Sequence, residues 1–125
     1  MSYRDCNYTV VDRILVVTDA VSGSVVWQGR PLRLPVEEVQ GLPGGSRAIV
    51  LLDYTSGPDG PFANLLCVAC DGELVWRAEL PSGSSTEAYV SFDLTGDALL
   101  ANSWTGHRVQ LDIATGRMIQ SAFTK

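Results

Sequence analysis

The chain has 125 residues, a net charge of −5, 46% hydrophobic residues and 18% charged ones. That composition describes one folded domain, or one run of small repeats, and argues against a disordered chain. Fourteen acidic residues against nine basic ones also argue against nucleic-acid binding, which draws its affinity from Lys and Arg neutralising phosphates.

No window carries a helical stripe, and the apolar segments are short, rich in Val, Leu, Ile, Trp and Tyr, and cut by Gly, Asp, Ser and Pro. In chain order, a weak strand is expected at 8–11 and clearer ones at 13–18 and 24–29. Another weak strand is expected at 32–34. The segment 35–40 is the only helix candidate, a turn at most. A loop at 40–46, Gln-Gly-Leu-Pro-Gly-Gly-Ser, reads as the best boundary in the chain. Strands follow at 47–54 and 63–70, joined by a long loop at 55–61. The remaining strands are expected at 73–80, 86–93, 97–104, 107–112 and 117–123. Leu74, Trp76, Ala78 and Leu80 alternate with Glu73, Val75, Arg77 and Glu79, and Val109 and Leu111 alternate with Arg108, Gln110 and Asp112. Period-2 patterning puts one face on a core and one in water.

The strongest signal is a repeat. Gly23-Ser24-Val25-Val26-Trp27, Gly72-Glu73-Leu74-Val75-Trp76 and Gly116-Arg117-Met118-Ile119-Gln120 share one pattern: Gly, one polar residue, two apolar residues, then Trp, Trp or Gln. The glycines are 49 and 44 residues apart. Asp19 and Asp112 each stand four residues before their glycine, with Ser22 or Thr115 directly before it. Gly supplies the positive φ of a tight turn, and Asp and Ser/Thr side chains bond the backbone around it.

Leu111-Asp112-Ile113-Ala114-Thr115-Gly116 with its apolar pair, and the segment from Asp19 to Trp27, resemble the turn between the last two strands of a blade in quinoprotein-like (PQQ-type) β-propeller repeats. The resemblance implies blade-like units at about 8–30, 32–80 and 86–123 within a single all-β domain over 1–125. Propellers close with more blades than this. The expected fold is therefore an antiparallel meander of about ten strands in a blade-like, partial-propeller array; the alternative is a β-sandwich or barrel. The resemblance implies nothing about quinone chemistry, and no cofactor is expected.

The only lysine is Lys125, and the eight arginines form no run. No apolar stretch approaches the ~20 residues of a membrane span. The N-terminus lacks the apolar core of a signal peptide, so the expected compartment is the cytoplasm. An odd set of cysteines, Cys6, Cys67 and Cys70, reads as reduced thiols. Cys67-Val-Ala-Cys70 imitates half a zinc knuckle, and only Cys6 and His107 remain to complete it. Regular strand geometry puts Cys67 and Cys70 on opposite faces, so a buried pair is the favoured reading. Ser103, His107 and Asp97 can be drawn as a triad, but no nucleophile elbow or oxyanion loop accompanies them. The carboxylates around Asp53, Asp59, Asp93 and Asp97 read as turn formers, and the Gly clusters lack a phosphate-binding pattern.

The most site-like surface is Trp104-Thr105-Gly106-His107, with Tyr54 and Arg108 as further candidate contacts, because Trp, Tyr and Arg dominate interface hot spots. The expected function is a non-catalytic, cytoplasmic protein acting through protein–protein contact, in the manner of an immunity or accessory binding protein. Its partner is expected to be a protein, suited by charge to being basic, and not nucleic acid or a membrane. Unpaired sheet edges lead to an expected homodimer. The alternative is a small-ligand or metal-binding β module.

Overall fold

The structure, a computed structural model, describes residues 5–123. Among the described residues eleven strands form three antiparallel sheets, each a meander in chain order. The first sheet holds β1 (Cys6–Val11), β2 (Ile14–Asp19) and β3 (Val25–Gly29). The second holds β4 (Val36–Gly41), β5 (Arg47–Leu52), β6 (Leu65–Ala69) and β7 (Leu74–Arg77). The third holds β8 (Tyr89–Thr95), β9 (Ala98–Ser103), β10 (His107–Leu111) and β11 (Met118–Phe123). This is the blade-like array implied by the repeat. The sandwich or barrel alternative is set aside, because three separate meanders stack as blades and close no barrel.

The middle sheet is buried on both faces, which explains the unbroken apolar runs of β5 and β6. Ala48, Val50, Leu52, Leu66 and Val68 pack with Cys6, Leu15, Val17 and Trp27 of the first sheet. Ile49, Leu51, Leu65, Cys67 and Trp76 pack with Tyr89, Phe92, Leu99, Ala101, Val109 and Leu111 of the third. Buried Asn64 fastens the second joint: its amide donates to the carbonyls of Leu52 (2.9 Å) and Tyr89 (2.8 Å), and its Oδ1 accepts from the Tyr89 N–H (2.8 Å).

The repeated turns join the sheets by one device. The indole of Trp27 lies against Gly72, and the indole of Trp76 lies against Gly116, so each Trp packs on the next repeat's glycine. Trp76 Nε1–H also donates to the Ile113 carbonyl at 2.8 Å. The first and third turns have the same wiring. Asp19 Oδ1 accepts from the Val21 N–H, and Asp112 Oδ1 from the Ala114 N–H. The glycine N–H returns to the Asp carbonyl in both. Gly23 has no neighbour where a Cβ would point, and Gln120 replaces the third Trp.

Three local expectations are corrected. The segment 35–40 is not a helical turn; residues 36–41 form strand β4. The three-residue spacing of Val36 and Val39 imitates a helix, but a β-bulge between Val36 and Glu38 turns both valines to the same core. The weak strand at 32–34 is a 3-10 turn, Pro31–Arg33, with Leu32 at φ 55°. The loop after Gly41 is no boundary; it is the hairpin turn inside the middle sheet. Among the described residues no helix is long and apolar enough to cross a membrane.

Candidate binding cleft

The long connection between β5 and β6 and the β9–β10 hairpin meet at one end of the stack. Asp53 caps the 3-10 turn Tyr54–Ser56, accepting from the Thr55 N–H (2.9 Å), Thr55 Oγ1 (2.7 Å) and Ser56 Oγ (3.3 Å). The hydroxyl and amide of Thr55 hold the Asp53 carboxyl below its usual range, against burial. Arg13 reaches Asp53 at 3.3 Å and Glu37 at 2.7 Å. The turn is thereby fixed, and with it the Tyr54 ring.

Trp104 follows β9 in a tight turn closed by the Gly106 N–H on the Ser103 carbonyl (3.1 Å), and its own N–H bonds the Ala88 carbonyl (2.8 Å). The Tyr54 and Trp104 rings stand 5.5 Å apart at 34°, and they are 40% and 50% exposed. Between them opens a cleft of about 270 Å³, floored by buried Phe62 and rimmed by Pro58, Asp59, Ser85 and Thr86.

A buried polar chain supports this cleft. Glu87 has no exposed surface, yet Ser82 Oγ and Thr105 Oγ1 each donate to its Oε2 at 2.6 Å. Burial pushes its carboxyl up, but the hydrogen bonds from Ser82, Thr105 and Ser103 outweigh that and leave it below its ordinary value. Thr105 Oγ1 spends its one proton on Glu87, so at 2.9 Å it accepts from His107 Nδ1. His107 also sits edge-on to Phe123, with centroids 5.3 Å apart.

The structure therefore brings together Tyr54 and Trp104, with His107 two bonds behind the wall. Arg108 is elsewhere, on the outer face of the third sheet, 3.0 Å from Asn102 Oδ1 and 3.6 Å from Asp93. The drawn triad does not form: Ser103 Oγ accepts the His107 backbone N–H, and Asp97 is at the far end of β9. The metal alternative fails on geometry as well. Cys67 faces the core between the second and third sheets, whereas Cys6 and Cys70 pack on the other side. Among the described residues no three His, Cys, Asp or Glu are placed to hold a metal ion. Burial pushes the Cys67 thiol up to about 11. Asn64, Ser82 and Glu87 were not singled out by the sequence. A buried carboxylate within Ser-Ser-Thr-Glu has the composition of an exposed loop, and only its partners reveal it.

No protein with a curated description matches the sequence. Solved structures do match. The chain is similar to BamB from Moraxella catarrhalis, a PQQ-like propeller, at 22% identity and a TM-score of 0.60, covering 96% of this chain and 33% of that one. It thus spans about a third of the BamB chain. It is also similar to the β-propeller domain of Myceliophteria thermophila Cps50 (Swd1), at 14% identity and a TM-score of 0.65, covering 96% of this chain and 41% of that one. The computationally designed Ika4 protein is similar at 12% identity and a TM-score of 0.66, covering 100% and 70%. At these identities the likeness establishes the propeller-like fold. The sequence also matches the family described as Domain of unknown function (DUF7957) over residues 20–123, and the chain belongs to that family.

Proposed function

We propose that the chain is a non-catalytic interaction module that binds a basic segment of a protein partner in the Tyr54–Trp104 cleft. The observation that carries the reading is the pair of half-exposed rings, fixed from behind by Asp53 and by the Glu87–Thr105 bonds. Two ring faces beside the Asp59 carboxylate, on a chain of net charge −5, favour an Arg or Lys side chain through cation–π and Coulombic attraction. Propeller-like sheets commonly serve as interaction surfaces, which supports the reading by analogy. Neutralisation of a basic toxin, the immunity-like role, is one form of it. Cys67 and Cys70 face separate cores and form no disulfide with each other, which fits the reducing cytoplasm in which we place this activity. A small cationic ligand is the second reading, favoured by a cleft near the ~300 Å³ lower bound of ligand sites.

The test is a titration with a short arginine-rich peptide, followed by tryptophan fluorescence, with a glutamate-rich peptide as control. The expected result is quenching by the basic peptide alone, weakened by salt. Trp104→Ala and Tyr54→Ala are each expected to reduce affinity by about tenfold or more. Equal binding by wild type and both variants would overturn the proposal.

A further inference from the structure

We propose that the outer face of the first sheet, turned away from the middle sheet, is where two copies of this chain associate about a two-fold axis. The two ends of the stack are built differently. On the third sheet the outer face carries Ser91, Asp93, Asn102, Arg108, Gln110 and Gln120, bonded to one another. Asn102 Nδ2 donates to Ser91 Oγ (2.9 Å), Arg108 donates to Asn102 Oδ1 (3.0 Å), and Gln120 Nε2 donates to Gln110 Oε1 (3.1 Å). Leu100 and Ala122 lie among these side chains, but the polar groups satisfy one another across the strands, as a terminal repeat requires. It is also the sheet whose turn ends in Gln120, where the first two repeats carry the joining Trp.

The first sheet has the opposite character. Its register places Val11, Ile14, Val16 and Val25 on the outer face, among Thr9, Thr18 and Gln28. Val11 and Val25 are more than half exposed. No charged side chain lies on the strand positions of that face. Gly23 retains the receiving half of the Trp–Gly joint, with open space above it.

Charge selects a second copy as the occupant. Residues 5–34 hold three acidic and three basic side chains, whereas residues 35–123 hold eleven acidic against four basic. Two copies of so acidic a molecule repel each other through most of their surface. The neutral sheet is where they approach without that repulsion. A contact that uses one patch from each copy closes after two subunits and leaves the bonded polar faces outward. A face of three short strands is small for an interface, so dissociation is expected at about micromolar concentration.

Sedimentation equilibrium from about 1 to about 100 μM is expected to show monomer passing to dimer, with no larger species. Salt strengthens this association by screening like charges, which distinguishes it from peptide binding at the cleft, weakened by salt. Val16→Arg and Val16→Asp are each expected to raise the dissociation constant by about tenfold or more, with the far-ultraviolet circular dichroism spectrum and monomer melting temperature retained. Mixing the two restores dimer, because position 16 of each copy lies near the axis-related sheet. Leu100→Arg, on the outer face of the third sheet, leaves dimerisation unchanged. A strict monomer at about 100 μM overturns the proposal. So does a dimer that survives both Val16 substitutions, or one abolished by Leu100→Arg.

Discussion

Alanine at Gly116 is expected to destabilise the chain by two separable effects. Gly116 has φ 74°, where a Cβ costs about 1–2 kcal/mol. That Cβ would also stand 2.5 Å from Cε3 of Trp76. Forcing the indole aside in a packed joint costs about 1–3 kcal/mol more. The sum is about 2–5 kcal/mol. Gly23 is an internal control. Its φ is 75°, nearly the same, but a Cβ there meets nothing within 4 Å. Gly23→Ala should therefore cost only the backbone part, about 1–2 kcal/mol. Trp76→Ala alone should cost about 3–5 kcal/mol, since Trp76 is 8% exposed and loses both its packing and its bond to Ile113. In the Trp76→Ala background the clash is gone, so Gly116→Ala should shrink to the Gly23→Ala value. Urea unfolding followed by circular dichroism measures the wild type and all four variants on one scale, provided the slope is constant. Equal losses at Gly23 and Gly116 would refute the joint, and so would an excess at Gly116 that persists without Trp76.

Asn64→Leu leaves the Leu52 carbonyl and the Tyr89 N–H and carbonyl without their buried partner, and should cost about 2–4 kcal/mol in the same assay. The depressed Glu87 carboxyl contributes stability above its ordinary value of 4.5 and loses it as pH falls through the lower folded value. The unfolding midpoint should thus decline on acidification below about 4.5, and Glu87→Gln should be less stable near neutrality with a flatter acid limb. In the native state near neutral pH, a thiol reagent should modify half-buried Cys70 first and leave Cys67 unmodified until unfolding.

The alternation of Trp76 and Ala78, and of Val109 and Leu111, made those strands legible, because one face meets water; Leu74 was expected beside them, but the bulge opposite Cys67 and Val68 takes it off that face and leaves it 40% exposed. The glycine turns were legible because the third turn repeats the first at its Asp, its Ser or Thr, and its Gly. The β1–β2 hairpin gave a weaker signal: Asp12 and Arg13 both adopt positive φ with no glycine to announce it. Strand β4 was misread because its bulge changes the period from two to three at Val36 and Val39. At the cleft, Tyr54 and Trp104 stood out as aromatics beside turns. Nothing in the order of residues could bring position 54 to 104; that meeting depends on how the middle and third sheets stack.

The middle sheet is a shared wall. No strand residue of the first sheet joins the core cluster of the third, and the reverse also holds. Each outer sheet therefore owes its burial to β4–β7. Opening can begin at either flank without disturbing the other, whereas loss of the middle dissolves both. Amide hydrogens of β5 and β6 should then exchange slowest, at the rate of global unfolding, with β1–β3 and β8–β11 releasing theirs earlier as independent cooperative units.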